Sequence, residues 1–263
     1  QYLREVTPLA VGHLNRAATE LARLVAGLSP EADDAHRTSL RQNILPFLMC
    51  SPLLRRSFEK PLGYAGDYEM MNMLYRDHAE GSSLFAKTIN VYGAQEAAAR
   101  ANINRLDYLG SLIQNTIERS PRPRVRVASI GCGPARELLR FLEDGTTLAA
   151  RLDVALVDQE ERAISYCERT IGPAAAAVGA RFDFIRESVR HLLSQRQLSA
   201  ALGIRDLVYS AGLFDYLNDR TFAALLNVLY GTLDHEGTLV IGNVAAHNPT
   251  RAFMEYCLDW YLV

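Results

Sequence analysis

Residues 125–241 alternate short β-rich runs with segments of helical periodicity, and this alternation constrains the fold more than any other feature of the chain. Five runs rich in branched apolar residues predict strands, at 125–130, 153–157, 181–185, 206–210 and 238–241. The segments between them carry apolar residues at helical spacing, at 136–143, 160–170, 189–193 and 221–232. Strands that alternate with helices favour right-handed βαβ crossovers and an α/β fold with a doubly wound parallel sheet. Such sheets bind their ligands at the carboxyl ends of the strands.

The first 120 residues follow a different pattern, because their apolar residues recur at helical spacing and no alternating strand interrupts them. Pro121 and Pro123 then stop the last helix and favour an extended connector. We therefore expect an all-helical cap domain over residues 1–120 and a Rossmann-like domain over residues 121–263. Four arginines in and beside the connector are typical of a solvated linker, with a basic patch as the alternative. They are Arg119, Arg122, Arg124 and Arg126.

A glycine-rich segment follows the first predicted strand and leads directly into a helix, with the sequence Gly131-Cys132-Gly133-Pro134-Ala135-Arg136. Glycines let the backbone turn tightly beside a ligand, and the helix start offers unpaired N–H groups. The segment predicts a site for a nucleotide-like cofactor, with a turn that binds nothing as the alternative. The dinucleotide-binding fingerprint has Gly or Ala at its sixth position, so Arg136 argues against NAD.

An acidic residue, Asp158, ends the second predicted strand 25 positions after Gly133 (158 minus 133). A carboxylate at this place can accept hydrogen bonds from both ribose hydroxyls of an adenosine group. The alternative is that Asp158 caps the next helix, with Glu161 completing a capping box, and the two roles are compatible. The loop after the third strand, which contains Glu187 and Ser188, lies where an adenine ring would be flanked. His191 on the following helix is interpreted as a surface or packing residue.

These residues resemble the class I S-adenosylmethionine-dependent methyltransferases, over roughly residues 100 to 263. The resemblance rests on the segment 130–135, on Asp158, on Glu187 with Ser188, and on the segment 206–217. It implies a Rossmann-like sheet, S-adenosyl-L-methionine as cofactor and S-adenosyl-L-homocysteine as product. Nine residues are implied as cofactor ligands: Gly131, Cys132, Gly133, Ala135, Asp158, Gln159, Glu187, Ser188 and Tyr209.

The sequence departs from this family at two positions. Ser129 stands where an acidic residue is common just before the loop, and Ala135 replaces the usual third glycine. We therefore expect another residue, for example from the helical domain, to contact the amino group of the cofactor.

The segments 58–72, 212–216 and 248–262 resemble a narrower bacterial subgroup, whose members make methyl esters of 3-hydroxy fatty acids such as 3-hydroxypalmitate. This resemblance implies a small-molecule acceptor whose carboxylate receives the methyl group. A carboxylate is ionised at pH 7, so its methylation needs no strong general base. Two alternatives stay open: a methyltransferase acting on an amine or a hydroxyl, and a non-catalytic domain that binds S-adenosylmethionine and regulates a partner.

The loop 60–69 has the composition of a lid, and we expect its Tyr64 and Tyr68 to face the cofactor or the acceptor. The alternative is a turn between helices in which Asp67 caps the helix that starts near Tyr68. Tyr216 and His247 are predicted to contact the acceptor. The alternative is that the tyrosine is simply buried, with its hydroxyl bonded to the backbone. Apolar residues before and after the loop 60–69 are candidates for the lining of an acyl channel. The alternative is ordinary core, which is the more common role of an apolar helix face. The candidates are Phe47, Leu48, Met49, Met70, Met71, Met73 and Leu74.

Composition and missing motifs exclude several classes of function. With 28 basic and 30 acidic residues the net charge is -2, which disfavours nucleic acid or an anionic membrane as the main partner. Patterns typical of zinc sites, α/β-hydrolases and phosphate loops do not occur, so we predict no metal. The four cysteines are scattered, no secretory leader is evident and no apolar run has membrane-spanning length, which indicates a cytoplasmic protein.

The chain begins at Gln1 and stops within the apolar stretch 260–263. Five predicted strands compare with the seven usual in the resembled family. We therefore expect the sequence to be the ordered portion of a longer protein, with a sixth strand beginning at 260–263 and the seventh absent.

Overall fold

The computed structural model describes residues 2–193, 202–245 and 247–261, which divide between two compact units. The helical unit contains the chain up to Ile103 and the segment from Val244 onwards, and the sheet unit contains Asn104–Asn243. This division differs from the predicted boundary at residue 120. The last long helix of the first half is continuous, and its later turns pack Leu109 and Ile113 into the core of the sheet unit.

Twelve α-helices are described, in chain order. They are α1 Tyr2–Val25, α2 Pro30–Asn43, α3 Leu45–Leu48, α4 Pro52–Glu59, α5 Tyr68–Tyr75, α6 Leu84–Gln95, α7 Ala97–Arg119, α8 Arg136–Glu143, α9 Glu161–Val178, α10 Val189–Leu192, α11 Asp219–Tyr230 and α12 Arg251–Cys257. Short 3₁₀-helices lie at Thr147–Arg151 and Phe214–Tyr216. Among the described residues, no helix is both long enough and apolar enough to cross a membrane.

Five parallel strands form the sheet, in the order β3-β2-β1-β4-β5. They are β1 Val125–Ile130, β2 Leu152–Asp158, β3 Arg181–Arg186, β4 Arg205–Ser210 and β5 Leu233–Ile241. The order reverses at β1, which lies between β2 and β4, so the carboxyl end of β1 is the topological switch point. The predicted Rossmann-like class, a doubly wound parallel sheet with an N-terminal helical region, is confirmed.

Both faces of the sheet are covered, because alternate residues of each strand point to opposite sides. Val127 of β1 belongs to a core shared with α7, α8 and α9, whereas Ala128 next to it belongs to a core shared with α10 and α11. The central strands are consequently apolar on both faces, which explains why their sequences read as nearly continuous apolar runs.

The last strand starts five residues earlier than predicted. Polar residues 234–237 hide this start in the sequence, and Glu236 has a positive φ of 65°. The register between β4 and β5 is irregular between Arg205 and Leu207, as expected of a bulge.

The arginines of the predicted solvated linker instead hold the amino-terminal edge of the sheet together. Arg122 and Arg126 form ion pairs with Asp206 of β4 and Asp234 of β5. Arg124 donates to main-chain carbonyls at Ala150 (2.7 Å) and at two further positions. The solvated interpretation was therefore wrong for these three arginines, because they bind carboxylates and main-chain carbonyls at the amino-terminal edge of the sheet.

The helical unit is closed by the C-terminal segment. Phe253 and Tyr256 of α12 are buried with Ile89 and Tyr92 of α6, and the rings of Phe253 and Tyr92 meet edge to face at 5.4 Å. Trp260 packs against the same core, so it does not begin the predicted sixth strand. Tyr261 is not in a strand either, and residues 262 and 263 lie outside the described residues.

Candidate functional site

The glycine loop after β1 is fixed to the end of β2. The backbone N–H groups of Gly131 and Cys132 both donate to the carbonyl oxygen of Val157, at 2.8 and 3.0 Å. Gly131 and Gly133 have positive φ angles of 66° and 54°, a conformation that glycine adopts without strain. Ala135 also has a positive φ, of 44°, which is uncommon for a residue with a Cβ. A Cβ on Gly133 would meet nothing within 4 Å, so the outer side of the loop is open at this residue.

The carboxylate of Asp158 lies directly against this loop. Its Oδ2 accepts from the N–H of Gly133 at 2.9 Å, and its Oδ1 accepts from the N–H of Glu160 at 2.9 Å. Asp158 is 7% exposed, and burial raises its pKa although these backbone hydrogen bonds oppose the shift. The capping alternative is not adopted, because Glu160 is the N-cap of α9 and accepts from the N–H of Arg162.

Two cysteines contact the main chain of the loop, Cys132 from within it and Cys167 from α9. The thiols of Cys132 and Cys167 both point to the carbonyl oxygen of Gly133, at 3.7 and 3.3 Å. A hydrogen bond with Cys167, together with burial, raises the pKa of Cys132 well above its usual range. Cys132 is therefore a neutral thiol at neutral pH, and its predicted contact with a cofactor stays a prediction.

A buried carboxyl group that the sequence reasoning missed lies close to the loop. Glu137, in the first turn of α8, is 7% exposed and accepts from the hydroxyl of Tyr209 at 2.7 Å. The same hydroxyl is hydrogen-bonded to Ser129, the position where the resembled family commonly has an acid. Burial raises the pKa of Glu137. Tyr209 is fully buried in the core of the sheet unit, and its predicted cofactor contact stays a prediction.

The residues after β3 and β2 are exposed or half-buried. Glu187 Oε2 lies 2.6 Å from Nδ1 of His191, and the N–H of Glu187 donates to the carbonyl of Asp158. Ser188 is the N-cap of α10, and Gln159 is exposed. Glu187 and Gln159 thus lie at the carboxyl edge beside Asp158, where a ligand could reach them.

The ends of β4 and β5 complete this edge. Arg105 of α7 donates to the carbonyl of Ala211 at 2.6 Å and covers Gly212. Tyr216 is half-buried in the short helix that follows, and Asp215 beside it is 8% exposed. The positive charge of Arg105 also favours the ionised form of Glu137, because it lowers the pKa of this acid and so opposes the effect of burial.

Three of the four predicted catalytic residues lie in the helical unit. His247 is exposed, and Tyr64 and Tyr68 are half-buried. Asp67 caps α5 as the alternative predicted, accepting from the N–H of Met70 and from Nε of Arg56, both at 2.8 Å. Contact of Tyr64, Tyr68, Tyr216 and His247 with a cofactor or acceptor stays a prediction.

The apolar residues proposed for an acyl channel are divided between two cores and the surface. Met71, Met73 and Leu74 are buried in the core around α5, as expected of an ordinary helix face, and Leu48 is buried in the core around α6. Phe47 is 62% exposed. Met70 is buried in the same core as Met71, and Met49 packs, partly buried, against the core around α6.

Comparison with known proteins shows similarity at the level of structure. No protein-family model matches the sequence, and the search of curated proteins found no match. The structure is similar to that of a possible exported protein from Bordetella parapertussis, with a TM-score of 0.55 and 21% identity over 89% of this chain and 70% of that one. This likeness shows a shared fold.

Two more distant structures are methyltransferases. An O-methyltransferase family protein from Burkholderia thailandensis has a TM-score of 0.38 and 20% identity, over 56% of this chain and 42% of that one. The DszA carbon methyltransferase has a TM-score of 0.48 and 16% identity, over 87% of this chain and 55% of that one. The chain thus spans about half the length of these two proteins. Its parallel sheet, flanking helices and N-terminal helical region fit the Rossmann-like class I methyltransferase fold.

Proposed function

We propose that the sheet unit binds S-adenosylmethionine at the loop 131–135 and that the protein transfers its methyl group to a small-molecule acceptor. The observation that carries the proposal is the hydrogen bond between the N–H of Gly133 and the carboxylate of Asp158. It places an acid beside an open glycine loop at the switch point of the sheet, where a nucleoside is bound in folds of this kind.

The residues present fit this cofactor. Asp158 accepts the backbone N–H groups of Gly133 and Glu160 at 2.9 Å, and a third backbone hydrogen bond comes from Gln159. A carboxylate offers about four acceptor positions, so a position remains for a ribose hydroxyl. Glu187 and Ser188 would lie beside the adenine, and the positive φ of Gly133 lets the ligand approach the backbone.

S-adenosylmethionine supplies an electrophilic methyl group on a sulfonium. In-line displacement then requires the protein chiefly to align donor and acceptor and to exclude water. For the acceptor, we propose the carboxylate of a 3-hydroxy fatty acid or of a similar acid. The resemblance of the segments 58–72 and 212–216 supports this choice. A location in the cytoplasm stays a prediction.

Cofactor binding is tested by calorimetry with the Asp158→Ala variant. Loss of a buried, hydrogen-bonded charge should weaken S-adenosylmethionine binding by about 1–3 kcal/mol, or about five- to 150-fold. Asp144→Ala is the matched control, because Asp144 is an exposed acid at the end of α8 and should leave the affinity unchanged. Equal affinities of wild type and Asp158→Ala would refute the ribose assignment.

The acceptor is tested by product analysis. Wild-type protein, the methyl donor and a 3-hydroxy fatty acid should yield a methyl ester and S-adenosylhomocysteine, detected by mass spectrometry. Methylation of amines or alcohols instead would reject the carboxylate acceptor while supporting methyl transfer. Cofactor binding with no S-adenosylhomocysteine released from any acceptor mixture would identify the protein as a non-catalytic binding domain.

A further inference from the structure

A buried acid follows the glycine loop 131–135 almost directly. Glu137 is the second residue of α8, which begins at Arg136, and it is 7% exposed. Its Oε1 accepts from the hydroxyl of Tyr209 at 2.7 Å, and this hydroxyl is also hydrogen-bonded to Ser129 of β1. The carboxyl group of Glu137 is therefore fixed, through Tyr209, to the two strands β1 and β4, whose carboxyl ends border the proposed cofactor site.

The negative charge of Glu137 reaches the loop itself. The hydrogen bond with Cys167, burial, and the charges of Asp158 and Glu137 together raise the pKa of the Cys132 thiol. Both acids therefore lie within electrostatic reach of this loop residue. Electrostatic attraction falls off gradually with distance, so Glu137 can stabilise a cation in the site without touching it.

The protonation of Glu137 depends on the charges around it. Burial raises its pKa, whereas the hydrogen bonds from Tyr209 and from its own backbone N–H oppose this shift, as does the positive charge of Arg105 on α7. A cation that enters the site would favour the ionised form of the acid in the same way as Arg105 does. Binding of a cationic ligand and loss of a proton from Glu137 are then linked.

We propose that Glu137 makes the site prefer the sulfonium donor, S-adenosylmethionine, over the neutral thioether product, S-adenosylhomocysteine. This inference rests on the proposed function. The two ligands share the adenosine, the amino group and the carboxylate, and they differ by one methyl group and the positive charge on sulfur. Ionised Glu137 attracts that charge, so the site holds the product less tightly once the methyl group has been transferred. Glu137 is thus a residue that determines specificity between donor and product.

Other titratable and charged groups act on Glu137 or on the loop. They are Arg105 on α7, Cys132 in the loop, Asp158 at the end of β2, Cys167 on α9 and Tyr209 on β4. Arginine is positive and thiols and phenols are neutral between about pH 5 and pH 7. Asp158 and the pair of Glu187 and His191 can titrate, but they would lie beside the ribose and the adenine, which both ligands contain. The ratio of the two affinities therefore isolates the effect of Glu137.

The inference is tested by calorimetry with both ligands between about pH 5 and pH 7, with folding checked by circular dichroism. In this range the amino and carboxylate groups of the two ligands keep their charges. An opposite charge nearby lowers a carboxyl pKa by about one unit or more, so the preference for S-adenosylmethionine should fall about threefold or more as the pH is lowered. A preference that does not change with pH would overturn the inference and leave cofactor binding intact. Binding of neither ligand would reject the proposed function as well.

Two variants assign the effect to one acid. Glu137→Gln cannot titrate but keeps an acceptor for Tyr209, and its preference for S-adenosylmethionine should be at least about threefold weaker at pH 7 and independent of pH. Glu143→Gln is the matched control, because Glu143 lies at the other end of α8 and its side chain is 53% exposed. It should follow the wild-type profile. The wild-type profile in Glu137→Gln would overturn the inference.

Proton release gives a test on the unaltered protein, which does not depend on the folding of any variant. Calorimetry in two buffers that differ in their enthalpy of ionisation measures the protons released when each ligand binds. Near pH 6, S-adenosylmethionine should release more protons than S-adenosylhomocysteine, because only the sulfonium favours ionised Glu137 over its protonated form. Equal release by the two ligands would contradict the inference.

Discussion

The two units differ in how far apart along the chain their stabilising partners lie. In the sheet unit, every strand pairs with another strand of the same continuous segment of chain. The site at the carboxyl edge of the sheet is built from the loops that directly follow these strands. In the helical unit, α12 packs on α1, α2 and α6, and Asp259 forms ion pairs with Arg41 and Lys60, about 200 residues earlier. The helical unit is therefore closed by a segment that follows the whole sheet unit in the sequence.

The difference also concerns where the polar groups are placed. The sheet unit carries its charges at the two edges of the sheet, with Arg122 and Asp206 at one edge and Asp158 at the other. In the helical unit, Asp259 of the closing segment is 39% exposed and pairs with Arg41 and Lys60, while Arg56 pairs with the buried Asp67 elsewhere in the unit. We expect core substitutions in the helical unit to act through closure by α12, and charge substitutions in the sheet unit to act through the strand ends.

The largest effect is expected from Phe253→Ala. The side chain is 6% exposed and packs against Tyr92, so its loss should destabilise the helical unit by about 3–5 kcal/mol. Urea unfolding followed by the fluorescence of Trp260 reports this unit, because the sheet unit contains no tryptophan. Phe47→Ala is the control, since Phe47 is 62% exposed and should change stability by less than about 0.5 kcal/mol. Equal losses in the two variants would show that α12 does not close the unit.

A smaller loss is expected from Asp206→Ala in the sheet unit. Its Oδ2 accepts from the N–H of Arg126 at 2.7 Å, and its Oδ1 is paired with Arg122. Removing a largely buried acceptor should destabilise this unit by about 1–3 kcal/mol, measured by circular dichroism in urea. Asp107→Ala breaks an ion pair with Arg140 whose acid is 74% exposed, and should lose about 0–1 kcal/mol. A loss no greater than that of the control would mean that the arginine cluster is merely solvated.

The same contrast explains what the sequence could predict. Strand periodicity and the helix between each pair of strands are local signals, so four strands were located to within two residues at each end. The joining of residues 244–261 to the helical unit depends on side chains that meet across about 200 residues, and no local pattern reports it. The predicted division at residue 120 also rests on a local signal. Pro121 follows the end of α7, whereas the two compact units divide within that helix, after Ile103.

For the site, topology was sufficient to place Asp158 beside the glycine loop, since both follow neighbouring strands. Glu137 was missed because an acid in the first turn of a helix is common and usually exposed. Its burial follows from contact with Tyr209 on β4, which the spacing of the sequence does not report. The only available signal was indirect: Ser129 stands where the resembled family commonly has an acid, which predicts only that some other residue contacts the amino group of the cofactor.

A modest effect is expected from Asp259→Asn in the helical unit. Burial opposes the charged form of Asp259, but the hydrogen bonds from Lys60 and Arg41 outweigh it and lower the pKa of the carboxyl group. The stabilisation is therefore present above the usual aspartate pKa and is lost as the pH falls through the lowered value. Because Asp259 is more than a third exposed, the loss should be about 0.5–1 kcal/mol and should shrink in high salt. Glu20→Gln, which breaks an exposed pair with Arg23, should show no change.

The smallest effect is a change in pH dependence, for which the two units offer a matched pair of buried acids. Glu137 and Glu96 each accept a tyrosine hydroxyl, and burial raises the pKa of both. A raised pKa means that the folded state holds the proton more tightly than the unfolded state. The stabilisation is consequently complete below about pH 4.3, the usual glutamate value, and is lost as the pH rises through the raised value.

Glutamine cannot titrate, so Glu137→Gln should flatten the decline of stability with pH in the sheet unit, and Glu96→Gln should flatten it in the helical unit. Urea unfolding at a series of pH values, followed by circular dichroism and by the fluorescence of Trp260, separates the two slopes. Each variant should leave the slope of the other unit unchanged, because the two acids lie in different units. If either variant changed the pH dependence of unfolding in both units, the two units would unfold together in one cooperative transition. The two units would then differ in how they are built but not in their stability.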